Sequence, residues 1–351
     1  MWYSTFIGTT MDKIRIDAGK SRRGWSYYSP VLQCAYMARL DMDNKNGVGT
    51  APPLLTGTLG HDIQAHYHTI EAINAYGSVI VNGQLYDDSS IFMSPEDAVK
   101  DHCEKEPDHA PFAEKVVTAY QNYKINPPLI DRQIMVETEL VGVLGNKRGK
   151  FGYWLVREDC WDQLEEEVDT LPADNGETIK LALMDVEGSR FHKKPIYLSR
   201  RLDLVTADNA GFATVIDHKH QNNIWSDPNK YNVDMGFTAI WMLAMQKWRG
   251  AVKSVDIHGI SVNPASPGKV KVTALRYSQN RANSLPLLIL QAAQTRARLD
   301  AAESAGYIGR EGWPMTGALE VGGNCISTYK NKEGTSCRYF KHCHHGEELP
   351  F

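Results

Sequence analysis

Asp203 in RRLDLV and the triplet Asp217-His218-Lys219 in VIDHKH are the residues of this chain best suited to chemistry. Asp217 and Lys219 are two apart on an expected strand, so their side chains share one face. Asp203 falls on the expected partner strand, within reach across a hairpin. Two close carboxylates repel unless a cation lies between them. Mg²⁺ takes such oxygen ligands and keeps several waters. A neighbouring lysine can hold or deprotonate an attacking water beside the metal. That set suits hydrolysis of a phosphodiester. Without chemistry, the same residues would be a solvated strand end with a surface ion pair, and a lone D-x-K is common by chance.

Two flanking groups add to it. In GTLGHDIQAHYH, Gly60-His61 falls inside an expected helix, and His61, Gln64 and His68 share one helical face. In VETEL, Glu137 and Glu139 lie on one face of an expected strand. A lone helical histidine or a polar strand face is ordinary on its own.

The elements that must position these residues follow from periodicity and stop signals. Ser29 to Leu40 reads as a short helix opening with Ser-Pro, and Thr56 to Tyr76 as a longer one. Ser94, followed by Pro95 and Glu96, begins another, and Ala110 to Tyr123 continues a helical half. From Asp131 the style changes: IMVETELVGVL alternates as a half-buried strand does, with Phe151 to Val156 as its partner. Glu165 to Glu177 is acidic and reads as a surface insertion. Ile196 to Val205 and Phe212 to His220 pair across the turn-forming TADNAG. Tyr231 to Trp248 is an apolar helix, Ser254 to Val262 and Lys269 to Arg276 are strands, and Leu285 to Ala305 is a long helix. The expected fold is α/β, with a helical N-terminal part over 1–125, a core over 126–310 and a cysteine-bearing C-terminal cap over 311–351.

Composition bounds the function. The 351 residues are 42% hydrophobic and 23% charged, ordinary for a globular chain and unlike a disordered one. The formal charge of −4 excludes a strongly basic coat, so any DNA site is a local groove. Arg200 and Arg201, leading into Asp203, are the first candidates for phosphate contacts. No apolar run approaches the ~20 residues that cross a bilayer, and no secretory signal is evident. A cytoplasmic protein with reduced thiols is expected, in the host cytoplasm if phage-encoded.

The ordered set Gly60-His61, Glu137 (or Glu139), Asp203 and Asp217-x-Lys219 resembles the PD-(D/E)XK nuclease superfamily, and within it the RecB-type branch of phage exonucleases and CRISPR-adaptation nucleases. The similarity spans about Ser26 to Cys343. The resemblance implies a restriction-endonuclease-like core, a mixed central sheet flanked by helices. It implies Mg²⁺ or Mn²⁺ held by His61, Asp203, Asp217 and the backbone carbonyl of His218, with Glu137 as a further catalytic carboxylate and Lys219 positioning the water. One departure stands out. The helix after Lys219 reads DMGFTAIWML and lacks the branch's Q-x-x-x-Y, so Met235 or Phe237 followed by Trp241 takes its place. The implied activity is a DNA exonuclease acting on linear ends or single strands, encoded by a phage or mobile element, with a recombination protein as partner. A non-catalytic DNA-binding or scaffold protein is the alternative, and a zinc-stabilised hydrolase on another substrate a third.

Four of the six cysteines bear on the same resemblance. Cys325, Cys337 and Cys343 lie in the tail and Cys34 in the first helix. Four thiolates hold an iron–sulfur cluster, and distant cysteines can converge. The RecB-type branch uses one N-terminal and three C-terminal cysteines for a [4Fe–4S] cluster. Zn²⁺ is the alternative, because His342, His344 and His345 adjoin Cys343. Cys103 and Cys160 read as ordinary buried residues.

Overall fold

A computed structural model describes residues 13–19, 21–33, 38–39, 52–184, 194–224, 229–232 and 234–308. Cys34, Cys325, Cys337, Cys343 and the expected cap over 311–351 lie outside the described residues.

The helices begin with α1 (Trp25–Gln33) and α2 (Pro52–Tyr76). A hairpin of β1 (Val79–Val81) and β2 (Gln84–Tyr86) follows, turning at Asn82-Gly83, both left-handed. Next come α3 (Pro95–Lys105), capped by Ser94, and α4 (Ala110–Ile125). The sheet's long strand β3 (Arg132–Lys147) turns into β4 (Lys150–Leu155). Short strands β5 (Thr170–Pro172), β6 (Thr178–Leu181), β7 (Leu183–Met184) and β8 (Lys194–Pro195) precede β9 (Tyr197–Ala207) and β10 (Ala213–Gln221). The chain closes with α5 (Met235–Lys247), β11 (Val252–Ser261), β12 (Val270–Ala274) and α6 (Gln279–Ser304).

The fold is α/β, with a mixed, largely antiparallel sheet in the order β12-β11-β10-β9-β3-β1-β2. The ladders β10–β11 and β1–β3 are parallel. A strand buried on both faces favours an unbroken run over strict alternation, and β10 opens with the buried run Ala213-Thr214-Val215-Ile216 for that reason. Val215 packs with Phe237, Ile240 and Leu243 of α5. Its neighbour Ile216 packs with Ala65 and Ile73 of α2. The sheet is therefore the middle of three layers, with α2 on one face and α5 on the other.

Three expectations change. The first helix begins at Trp25 and carries Pro30 inside it, rather than opening at Ser29. Tyr28 and Val31 are buried, and that packing outweighs the lost backbone bond. The acidic stretch Glu165–Glu177 is not a plain insertion: Leu171 and Ala173 are buried, and β5 joins the sheet's flank through β6. Cys160 is buried, but Cys103 is only half-buried.

The helix and sheet layers meet closely at Gly142 of β3. A Cβ there would stand 2.5 Å from Leu243 Cδ2 of α5. Gly142→Ala is expected to cost about 1–3 kcal/mol by overpacking, read as a lower urea midpoint at unchanged slope. An unchanged midpoint would show that the Leu243 side chain gives way without cost.

Candidate metal centre

The site forms where two strands part. The β9–β10 ladder runs from Ala213 opposite Ala207 to Ile216 opposite Leu204, and ends one step before Asp203 and Asp217. There the backbone N–H of His218 turns to the Asp203 carboxylate, 2.7 Å from Oδ2. On the other side, β3 sets Val136 opposite Leu204 and Thr138 opposite Leu202, which puts Glu137 opposite Asp203. Three carboxylates thus stand in a row across β3, β9 and β10. Glu137 has a left-handed backbone at φ 51°. For a residue with a Cβ this costs on the order of 1 kcal/mol or more, and such strain clusters at working sites.

From α2, His61 Nδ1 comes to 3.1 Å from Asp203 Oδ2. One ligand atom each of His61, Glu137 and Asp203 lie within 4.8 Å of one another. Asp217 stands beside this trio, its Oδ2 held 2.6 Å from Lys219 Nζ. Lys219 in turn lies 5.9 Å from the ring centre of Phe237 of α5. Glu139 does not join the trio. Its carboxylate accepts the backbone N–H of Arg22 at 2.6 Å.

Burial drives the Glu137 carboxyl well above the usual carboxylate range, with Asp203 adding to it and Arg201 opposing. Burial also raises Asp217, against the pull of Lys219. Asp203 goes the other way: burial pushes it up, but His61 and Lys219 hold it below the usual range. His61 is raised because Asp203 outweighs burial. Lys219 is likewise raised, Asp217 and Asp203 outweighing burial, so it stays an ammonium at neutral pH. A buried carboxyl whose charged form is disfavoured, standing beside an ionised one, is a place a divalent cation can fill. One imidazole nitrogen and two carboxylate oxygens fit Mg²⁺ or Mn²⁺, and the imidazole tilts the preference toward Mn²⁺.

A shell of neutral histidines lies behind the trio. His220 packs so close to α2 that a Cβ on Gly60 would stand 2.1 Å from its Nδ1. This explains the glycine before His61: any side chain there would drive His220 away. His218 stacks on His68, with ring centres 5.1 Å apart, and meets His258 edge-on at 5.8 Å. His68 is fixed by Gln133 Nε2 at 3.2 Å. Burial lowers His68 and His220 to about 3, and His258 to about 4. Sequence reasoning did not single out His220 or His258. The alternation D-H-K-H already placed His220 on the face of His218.

Arg200 and Arg201 lie apart. Arg200 reaches the start of α5, with Nη1 3.4 Å from where a Cβ on Gly236 would be. Arg201 Nη1 donates to the Asp17 carbonyl at 2.7 Å and to Asn82 Oδ1 at 3.2 Å.

No protein-family model matches the chain, and no curated protein matches it. A solved structure described as the crystal structure of SSO0001 is similar over 34% of this chain and 47% of its own, at 15% identity and a TM-score of 0.21. The likeness thus spans about half of that structure and carries no argument about this one.

Two outcomes follow from the histidine shell. Gly60→Ala is expected to displace His220 and weaken metal binding while the chain stays folded; unchanged metal affinity would show that the contact is idle. The second concerns pH. A histidine lowered by burial is neutral in the fold but titrates near 6.5 when unfolded. Its contribution is complete above about pH 6.5 and is lost as pH falls toward its folded value. For His258, lowered to about 4, the loss on acidification is about 3 kcal/mol. His258→Leu is expected to flatten the stability–pH curve by that amount between pH 7 and 4. Parallel curves for variant and wild type would contradict it.

Proposed function

We propose that the chain is a metal-dependent DNA nuclease of the exonuclease type, with a restriction-endonuclease-like core of the RecB-type branch. The observation that carries the reading is the meeting of His61, Glu137 and Asp203 beside the Asp217–Lys219 pair, at the point where β9 and β10 part. The chain order of the carriers also supports it: helix α2, antiparallel strands β3, β9 and β10, helix α5, then β11 parallel to β10.

His61, Glu137 and Asp203 would hold the cation, with Asp217 and the His218 carbonyl beside it. Bound there, it supplies Lewis acidity, lowering the pKa of a water and offsetting charge on the phosphate. The protein's own groups do the rest. Lys219, as an ammonium, donates to the attacking water or to a phosphate oxygen and so fixes the line of approach. Asp217 holds Lys219 in place. The His61–Asp203 contact keeps Asp203 ionised and ready to bind. Arg200, on the Lys219 side, faces the incoming backbone as a phosphate contact, with Arg201 as the second candidate. In the same reading Cys34, Cys325, Cys337 and Cys343 hold a [4Fe–4S] cluster, with Zn²⁺ as the alternative.

The test is incubation with end-labelled linear and circular DNA in Mg²⁺, Mn²⁺ or EDTA. Linear DNA is expected to shorten from its ends with either metal and not in EDTA. Lys219→Ala and Asp217→Asn are expected to reduce the rate by roughly a hundredfold or more without unfolding the chain. Binding without cleavage would make the chain a DNA-binding scaffold. Protein prepared without oxygen is expected to carry about four irons. Zinc without iron would replace the cluster with a zinc clip.

A further inference from the structure

Beside the candidate centre, one edge of β3 lies open. The Asn82 N–H bonds the Val136 carbonyl at 3.2 Å, and the Val156 N–H bonds the Val141 carbonyl at 2.9 Å. Between these two bonds, among the described residues, no strand pairs with Glu137 to Val141 on that side. The gap is a slot of about 450 Å³, lined in part by the β1–β2 turn and by Trp161. Glu137, only 3% exposed, lines it as well as belonging to the trio. The slot therefore opens directly off the centre.

Its lining selects the kind of ligand. Five carboxylates face three cations. The cations are all engaged: Arg22 with Glu139 at 3.5 Å, Lys247 with Asp174 at 3.9 Å, and Arg201 with Asp17 and Asn82. Among the described residues a phosphate would meet net negative charge and no unpaired cation. A nucleobase meets partners. Of the carboxylates, Glu137 belongs to the trio and Glu139 and Asp174 pair with Arg22 and Lys247, which leaves Asp17 and Glu158 to accept from exocyclic amines and ring N–H groups. The open β3 edge offers backbone donors and acceptors to the rest of a base. Trp161 supplies a ring with the Arg22 guanidinium 5.0 Å from its centre, and bases stack on both kinds of plane. The Trp161 indole N–H is buried and has no hydrogen-bond partner. The volume lies within the ~300–1,000 Å³ of small-molecule sites and admits a base with its sugar.

We infer that this slot takes the unpaired base of the nucleotide beside the phosphate being cut, so that the substrate is a single-stranded or frayed end rather than an intact duplex. The inference rests on the nuclease reading of the adjoining centre, and it goes further by naming strandedness. A base held in a duplex cannot enter, because its hydrogen-bonding edge and faces are already covered.

The test has a binding arm and a cleavage arm, both on the full chain. In EDTA, 2-aminopurine deoxyriboside is expected to bind with a change in fluorescence and to resist displacement by inorganic phosphate. Trp161→Leu is expected to weaken that binding about tenfold, the scale of one lost stack. Glu158→Gln, at an exposed position, is expected to weaken it severalfold. With Mn²⁺, a single strand whose terminal nucleotides are abasic is expected to show a KM about tenfold higher than the normal strand. Trp161→Leu should erase that difference. Absence of nucleoside binding, displacement by phosphate, or wild-type binding by both variants would overturn the slot. So would equal KM values for the abasic and normal strands. Nucleoside binding in a chain that cuts no DNA with any metal would instead overturn the nuclease reading, and with it the slot's role in cleavage.

Discussion

Mutual repulsion among buried carboxylates is the constraint around which this structure is arranged. Glu137, Asp203 and Asp217 fall in one row across three neighbouring strands, and two of them are raised by burial while the third stays ionised. Such a row is unstable unless positive charge answers it. His61 answers Asp203 from one layer, and Lys219 answers Asp217 within its own strand. Glu137 is answered only by the field of Arg201: among the described residues its carboxylate makes no hydrogen bond or ion pair, and its backbone is held left-handed. A buried carboxyl without a direct partner on a strained backbone is costly, and it persists because the surrounding sheet over-determines it.

The rest of the fold follows from holding that row. The β9–β10 ladder must end at Ile216, because continuing it would bring Asp203 and Asp217 into a closed pair and leave no room for a ligand. Gly60 must lack a side chain, because His220 occupies the space beside His61. The neutral shell of His68, His218, His220 and His258 fills the volume behind the row with polar groups that carry no charge. Buried cations there would compete with any bound metal, whereas neutral imidazoles do not.

Much of this was legible in the residues. Alternation in IMVETELVGVL and the TADNAG turn gave the three central strands, and the D-x-K spacing gave the Asp217–Lys219 pair, because period-two geometry leaves little freedom. The choice between Glu137 and Glu139 was not legible. It depends on a local left-handed residue and on Arg22, a distant segment that claims Glu139. The β1–β2 hairpin was missed although its Asn82-Gly83 is a strong turn signal, because three-residue strands carry too little periodicity to register. Its position beside β3 is what encloses the slot. The histidine shell was only half legible: side chains on α2 and β10 could be assigned to faces, but their meeting depends on tertiary packing.

The most direct measurement is a calorimetric titration of metal-free protein with Mn²⁺ near pH 7. The account predicts about one Mn²⁺ per chain, because the row of buried carboxylates with His61 is a site for one cation. Glu137→Gln should remove that binding while leaving the chain folded. A wild-type protein that takes up no Mn²⁺, or a Glu137→Gln variant that binds it with the same affinity, would contradict the account.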